Sequence, residues 1–232
     1  MQRTRKILRV DASVRVDNSL SRGLGDRFLS AWRRARPHDV LTLRDVGMQP
    51  PEAISSAWVT AAFTPESERT PGQRRLLEPS DRMIGELREA DVLVICTPMY
   101  NYGMPSALKA WVDQIIRIGE TFTFDRARGD FPLRPILGGK TLAIFTASGE
   151  FGFEPGGIRD GWNHLNSHLR TVATRLLGIA PKDIYEIASE YQEFGDERHR
   201  RSREQALQNA AELGTRLAAA RRAPCHNEHI HA

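Results

Sequence analysis

The sequence predicts an α/β protein built on a doubly wound sheet of five parallel strands. Short apolar runs rich in β-branched residues alternate with longer segments in which apolar residues recur at helical spacing. The run at residues 91–96 is almost entirely apolar, which is typical of a central parallel strand buried on both faces. We expect a single domain over residues 1–221 and a disordered tail over residues 222–232.

The strands and helices follow one another in a regular order along the chain. The strands are predicted at residues 6–10, 39–43, 91–96, 141–146 and 183–188. The helices are predicted from Ser19 onward, at 72–90, from Met104 onward, around His164 and His168, and at 195–220. The long connection at 44–71 is predicted to contain a short helix at 52–62. We expect Trp58 and Phe63 to hold this connection against the core; the alternative is that they cover a ligand.

Composition restricts the classes of partner and compartment. The chain has 232 residues and a formal charge of +4, and it contains no apolar run long enough to span a membrane. Its densest basic cluster, at 198–203, is interleaved with glutamates, which favours a solvated helix face over a nucleic-acid site. Without a signal peptide, and with two distant cysteines, Cys96 and Cys225, we expect a cytoplasmic protein with no disulfide, metal site or membrane partner.

Three serines follow the first predicted strand. Ser13 lies in the loop after the strand, and Ser19 and Ser21 lie at the start of the first helix. Hydroxyl groups and free backbone N–H groups at a helix N-terminus attract an anion such as a phosphate monoester. On local sequence alone, the alternative that Ser19 is only a helix cap is equally good.

A tyrosine-rich loop follows the central strand, in the stretch TPMYNYG at residues 97–103, which is expected to leave the strand. The carboxyl edge of an open parallel sheet is where ligands bind. Two tyrosines, a methionine and an asparagine at this edge offer flat apolar surface and amide hydrogen bonds, which an aromatic heterocycle requires.

The stretch PMYNYGMPSALKAWVDQIIRIGETF, at residues 98–122, resembles the FMN-dependent NADH:quinone and azo-dye reductases, a family with the flavodoxin-like fold. The resemblance implies strand order 2-1-3-4-5. It also implies bound FMN, through which hydride passes from NADH or NADPH to a quinone or azo compound in a ping-pong mechanism, and a homodimer with sites at the subunit interface.

The resemblance also assigns roles to residues of this chain. Ser13, Ser19 and Ser21 would bind the FMN phosphate. The ring would be held by Pro98, Met99, Tyr100, Asn101, Tyr102 and Gly149. No side chain would be catalytic, because the cofactor carries the chemistry.

This chain departs from the family pattern at several positions. Tyr102 replaces the usual phenylalanine, and Leu20 replaces a residue that is commonly polar. The loop at 147–150 reads A-S-G-E where the family often has S-R-G-G, so Glu150 would disfavour negative charge on a reduced flavin if it pointed inward.

Two other functions remain open at this point. One is a flavodoxin-type electron carrier without its own NAD(P)H turnover, although such carriers are generally shorter and acidic. The other is a nucleotide-binding or esterase-like α/β protein, which ranks last because no G-x-S-x-G motif is present. The choice between NADH and NADPH and the physiological acceptor are not determined by the sequence.

Overall fold

The structure, a computed structural model, describes residues 3–220 of the chain. The strands of this part are β1 (Lys6–Asp11), β2 (Val40–Asp45), β3 (Val92–Pro98), β4 (Phe122–Phe124), β5 (Leu133–Pro135), β6 (Thr141–Ala147) and β7 (Ile184–Ser189). Its α-helices are α1 (Leu20–Ala35), α2 (Ser56–Phe63), α3 (Pro71–Glu89), α4 (Ser106–Ile115), α5 (His164–Thr171) and α6 (Glu197–Ala219). The predicted disordered tail and Cys225 lie outside the described residues.

The main sheet has five strands in the order β2-β1-β3-β6-β7, and each neighbouring pair is parallel. This is the predicted flavodoxin-like order once β6 and β7 are counted as the fourth and fifth core strands. Alternate residues of each strand face opposite layers of helix. The loops that follow β1, β3 and β6 therefore all lie at one edge of the sheet.

Each face of the sheet has its own apolar core. On one face, Phe28 and Trp32 of α1 pack with Phe145 of β6 and with buried residues of α6. On the other face, Trp111 of α4 packs with residues of α3 and α5. Helices α1 and α6 approach each other closely, because a Cβ atom at Gly214 would lie 2.4 Å from the carbonyl oxygen of Phe28.

The long connection before α3 is attached to the core through Trp58. The Trp58 side chain is buried, and its Nε1–H donates to Oε1 of Gln114 at 2.9 Å. Phe63 is exposed. Trp58 therefore has the expected anchoring role, whereas the same expectation for Phe63 was wrong because its side chain faces solvent.

Two predictions about secondary structure were wrong. Thr97 and Pro98 belong to β3, where they pair with Thr146 and Ala147 of β6, although the sequence was expected to leave the strand at 97. A proline is tolerated there because the strand ends at Pro98 and needs no further ladder N–H from it. The hairpin formed by β4 and β5 was also missed, since strands of three residues carry almost no periodic signal.

Within residues 3–220, no helix combines the length and the apolar character needed to cross a membrane.

Candidate cofactor site

The loops after β1 and β3 lie side by side because the hydrogen-bond ladder continues past the strands. The N–H of Ala12 donates to the carbonyl of Cys96 at 2.9 Å, and the N–H of Met99 donates to the carbonyl of Ala147 at 2.8 Å. Neighbouring strands are about 4.8 Å apart, so the loops after β1, β3 and β6 span roughly 10 Å of the sheet edge. The predicted phosphate and ring residues thus occupy adjacent positions along this edge.

The N-terminus of α1 has the features expected of an anion site. Ser19 is the N-cap in extended conformation, and its Oγ accepts from the N–H of Arg22 at 3.5 Å. The Oγ atoms of Ser19 and Ser21 are 3.5 Å apart. The N–H groups of Leu20 and Ser21 belong to the first turn, which has no acceptor within the helix. Ser19 therefore caps the helix, and the first turn still has free N–H groups that could donate to a ligand.

Arg22 connects the helix to the loop after β1. Its Nη2 donates to the carbonyl of Ser13 at 2.7 Å and to Asp45 at 2.8 Å, and its Nη1 donates to Asp11 at 3.1 Å. Asp11 also accepts from Nε of Arg9 at 2.7 Å. This buried network fixes Ser13 beside the start of α1.

The ionic network keeps the Asp45 carboxylate charged. Burial alone would raise the pKa of Asp45, but the hydrogen bonds from Arg22 and from the N–H of Met48 lower it below its usual value. No role was predicted from the sequence for Asp11, Arg22 or Asp45. A usable signal was present, since Asp11 and Asp45 end two neighbouring strands at the same edge.

The loop after β3 is a tight turn with unusual backbone geometry. The N–H and carbonyl groups of Tyr100 and Gly103 bond to each other at 3.0 Å in both directions. Between them, Asn101 has φ of 50° and Tyr102 has φ of 62°, both in the left-handed region. Asparagine tolerates this region, but a tyrosine there is uncommon and must be held by its surroundings.

Contacts from the loop after β6 hold Tyr102 in place. Its hydroxyl donates to Glu150 Oε2 at 2.8 Å, and its carbonyl accepts from the N–H of His164 at 2.9 Å. Its ring packs edge-on against Phe153 and Trp162. Tyr100 and Tyr102 each remain 37% exposed, so the turn presents aromatic surface to a ligand.

Glu150 is neutralised in its surroundings. Besides the Tyr102 hydroxyl, its carboxylate accepts from Nη2 of Arg159 at 2.7 Å. The Tyr102 hydrogen bond, followed by Arg159, lowers the pKa of Glu150, and the same hydrogen bond raises the pKa of Tyr102. Because Arg159 balances its charge, Glu150 contributes less net negative charge to this edge than the sequence alone suggested.

Gly149 lies against the exposed side chain of Glu193. A Cβ atom at this position would lie 2.5 Å from the side chain of Glu193, whose N–H donates to the Gly149 carbonyl at 3.1 Å. The backbone hydrogen bond joins the loops after β6 and β7, and the glycine leaves room for the Glu193 side chain. Pro98 ends β3 beside Ala147, and Met99 packs against the core beneath the turn.

His164 and His168 lie on α5, and in residues 3–220 no group of three His, Cys, Asp or Glu side chains could hold a metal ion.

The comparisons with known proteins agree with this geometry. Residues 5–213 match a family model described as flavodoxin-like fold. The chain is 52% identical over 218 residues to the FMN-dependent NADH:quinone oxidoreductase 2 of Idiomarina loihiensis, covering 91% of this chain and 90% of that one. It belongs to the FMN-dependent NADH:quinone oxidoreductase family.

Further members of this family and solved structures extend the picture. The FMN-dependent NAD(P)H:quinone oxidoreductase 1 of Pseudomonas aeruginosa is 44% identical over 191 residues, covering 82% of this chain and 89% of that one. An FMN-dependent NADH-azoreductase of Bacillus anthracis in complex with FMN has the same fold, with a TM-score of 0.80 and 20% identity over 93% of this chain and all of that one. These relatives fit the oxidoreductase hypothesis and not the electron-carrier alternative.

Proposed function

We propose that this protein is an FMN-dependent oxidoreductase that passes electrons from NADH or NADPH to quinones or azo compounds. The observation that carries the proposal is the arrangement of three loops along one sheet edge, with an anion-attracting helix start beside an exposed tyrosine turn. The curated relatives of Idiomarina loihiensis and Pseudomonas aeruginosa, which match most of this chain, are named as FMN-dependent quinone oxidoreductases and support the same activity.

The phosphate end of the cofactor is assigned to the start of α1. Ser13, Ser19 and Ser21 are held together by the cap and by Arg22, and the first-turn N–H groups of α1 add donors directed toward an anion. This region fits a phosphate monoester because its donors are set in place before a ligand arrives.

The ring end is assigned to the tyrosine turn. Asn101 is exposed, and no hydrogen bond of its side-chain amide is found among the described residues, so the amide is available to the polar edge of a flavin. Met99, Tyr100 and Tyr102 supply apolar surface, Pro98 places the turn, and Gly149 keeps the adjacent loop close. Bound FMN supplies the hydride-transfer chemistry, while these residues orient it and shield it from water.

We also propose a single-domain, cytoplasmic homodimer that binds neither nucleic acid nor membrane. Large apolar side chains are exposed on the hairpin β4–β5 and its surroundings, among them Phe124, Phe131 and Ile136. Such surface is typical of a contact with another protein. The match to one family model over 5–213 supports a single domain.

The test is to purify the protein and measure its absorption spectrum, the flavin released on denaturation, and NADH and NADPH oxidation with benzoquinone as acceptor. We expect a yellow protein that releases FMN and turns over. A protein that holds flavin but has negligible turnover would favour an electron carrier. A colourless protein that takes up no added FMN would contradict the proposal.

A further inference from the structure

The guanidinium of Arg198, in the first turn of α6, lies among three aromatic rings. Its Cζ is 4.7 Å from the ring centroid of Phe194, 5.2 Å from that of Tyr191 and 5.5 Å from that of Phe151. A cation within about 6 Å of a ring centroid is attracted by the negative face of the ring. We propose that Arg198 is a positioning residue for the flavin ring, because it fixes the loop after β6 and, through that loop, the tyrosine turn. This role rests on the proposed function.

The three rings around Arg198 come from two loops and form one cluster. Phe151 stacks on Tyr191 with centroids 4.2 Å apart and planes inclined by 16°, and Phe194 meets these rings edge-on at 5.5 Å and 6.1 Å. Both arrangements are favourable for aromatic pairs. Phe151 lies in the loop after β6, whereas Tyr191 and Phe194 lie in the loop after β7. Arg198 therefore joins both loops to the start of α6.

The backbone of Tyr191 shows that this cluster holds the loop after β7 in a demanding conformation. Tyr191 has φ of 66°, in the left-handed region that is uncommon for a tyrosine and persists only when the surroundings fix it. Its N–H donates to the carbonyl of Glu150 at 3.3 Å, and its carbonyl accepts from the N–H of Phe194 at 3.0 Å. The ring contacts and the cation supply the remaining support for this conformation.

Backbone hydrogen bonds transmit the position of this loop to the loop after β6. The N–H of Ser148 donates to the carbonyl of Ser189 at 3.0 Å, and the carbonyl of Ser148 accepts from the N–H of Gln192 at 3.1 Å. The hydroxyl of Ser148 donates to the carbonyl of Glu150 at 2.9 Å. These bonds continue the pairing of β6 with β7 beyond the ends of the strands, so a shift of the loop after β7 moves residues 148–151.

Arg159 and Glu150 complete the connection to the tyrosine turn. Nη1 of Arg159 donates to the carbonyl of Phe151 at 3.0 Å, and its guanidinium lies 5.1 Å from the Phe151 ring centroid. Its Nη2 donates to Glu150, which accepts from the hydroxyl of Tyr102. Direct contacts therefore lead from Arg198 through Phe151, Arg159 and Glu150 to a residue assigned to the ring.

The N-cap of α6 sets the direction of the Arg198 side chain. Oδ2 of Asp196 accepts from Nε of Arg198 at 2.9 Å and from Nη2 at 2.7 Å, while Oδ1 accepts from its N–H at 2.9 Å. Two hydrogen bonds from one guanidinium fix its plane. Arg200, two residues along the helix, pairs with Glu197, and no aromatic ring of residues 3–220 lies under it. Arg200 is therefore a matched control for Arg198.

The experiment uses five variants of the whole chain. Arg198→Gln removes the cation, and Arg198→Lys keeps it. Phe194→Leu removes the nearest ring but keeps an apolar side chain, and the double variant of Arg198→Gln with Phe194→Leu tests whether the two residues act together. Arg200→Gln removes an equal charge from the same helix.

Two measurements are made on each protein. Hydrogen exchange of the apo-protein follows the amides at 148–151 and 190–193, and the amides of β3 serve as the reference for global unfolding. Titration of the apo-protein with FMN and with riboflavin, followed by quenching of flavin fluorescence, gives the affinity for a ring with and without the phosphate.

We expect Arg198→Gln and Phe194→Leu to speed exchange of both loops by about fivefold and to leave β3 unchanged. Each should weaken FMN and riboflavin by the same factor, about threefold, because the ring is common to both flavins. The double variant should weaken binding by less than the product of the single effects. Arg198→Lys should restore most of the exchange protection and affinity, and Arg200→Gln should change neither.

The role of Arg198 is overturned if Arg198→Gln leaves ring affinity unchanged, whether or not exchange of the loops becomes faster. It is also overturned if FMN is weakened and riboflavin is not, if Arg198→Lys restores nothing, or if Arg200→Gln has the same effect as Arg198→Gln. In each of these outcomes the wild type still binds flavin and the proposed function stands. Wild type that binds neither flavin would overturn the proposed function as well.

Discussion

The two ends of the candidate cofactor site are held in place by different kinds of contact. At the start of α1, the residues are fixed by a buried network in which Arg22 joins two carboxylates and a backbone carbonyl. At the tyrosine turn, the fixing contacts lie near the surface, through Glu150 and two aromatic rings. The comparison suggests that the phosphate end is part of the folding core, whereas the ring end can be altered without unfolding the protein.

Replacing Arg22 should cause the largest loss of stability, because Arg22 holds the buried end together. Arg22→Met leaves Asp45 without its ion pair and Asp11 with Arg9 alone, and both aspartates are partly or fully buried. Breaking a buried pair from one side costs about 3–5 kcal/mol, and we expect the lower end because Arg9 remains. Urea unfolding measures the loss. Arg159→Met, which removes the cation of the exposed end, should cost much less; equal losses would contradict the distinction.

Replacing Asn101 should have the next largest effect, on binding instead of stability. Asn101→Ala removes the amide assigned to the ring and places alanine at φ of 50°, which disfavours the turn. We expect FMN affinity to fall by about tenfold, the equivalent of one lost hydrogen bond. Fluorescence titration measures it, with Asn209→Ala on the exposed face of α6 as the control. Unchanged FMN affinity would remove Asn101 from the site.

Acid should weaken the buried end as Asp45 becomes protonated. The pKa of Asp45 is lowered in the folded state, so its contribution to stability is complete above its unfolded pKa, near 4, and is lost as pH falls through the lower folded value. Unfolding measured from pH 6 down to pH 2 should therefore show less acid destabilisation in Asp45→Asn than in wild type. Parallel pH curves for the two proteins would show that the ion pair contributes little.

Replacing Glu150 should have the smallest effect on FMN affinity. It tests whether the charge of Arg159, at the exposed end, acts on the flavin ring. Glu150→Gln keeps an acceptor for the Tyr102 hydroxyl and leaves the Arg159 charge unbalanced near the ring residues. We expect FMN affinity within about threefold of wild type, as for other exposed pairs, and a higher flavin midpoint potential, because a cation favours the reduced form. Spectroelectrochemical titration measures the potential. A lower potential would mean that Arg159 does not act on the ring.

The strands and the edge that carries the site could be predicted from local sequence patterns, whereas the order of the strands in the sheet followed from the resemblance to the reductase family. The apolar run of β3 and the helical spacing after it locate the tyrosine turn without any long-range information. Ser19 could also be identified, since a cap is a local feature.

The rest of the site depends on contacts between residues distant in sequence. Asp11, Arg22 and Asp45 form one network only because β1, α1 and β2 are packed together. The side chain that lies against Gly149 is that of Glu193, from the loop after β7. From the sequence, Glu150 was expected to disfavour negative charge on a reduced flavin. Its neutralising partner, Arg159, is placed beside it only by the fold.

The central claim is that one flavin lies across both ends of this edge. Paired flavin titrations of Ser19→Ala and Asn101→Ala test this claim most directly. The claim predicts that Asn101→Ala weakens FMN and riboflavin by the same factor, because the ring is common to both. Ser19→Ala should weaken FMN alone, because only FMN carries the phosphate. If Ser19→Ala leaves FMN affinity unchanged, or if Asn101→Ala does so, the two ends do not hold one flavin and the claim is contradicted.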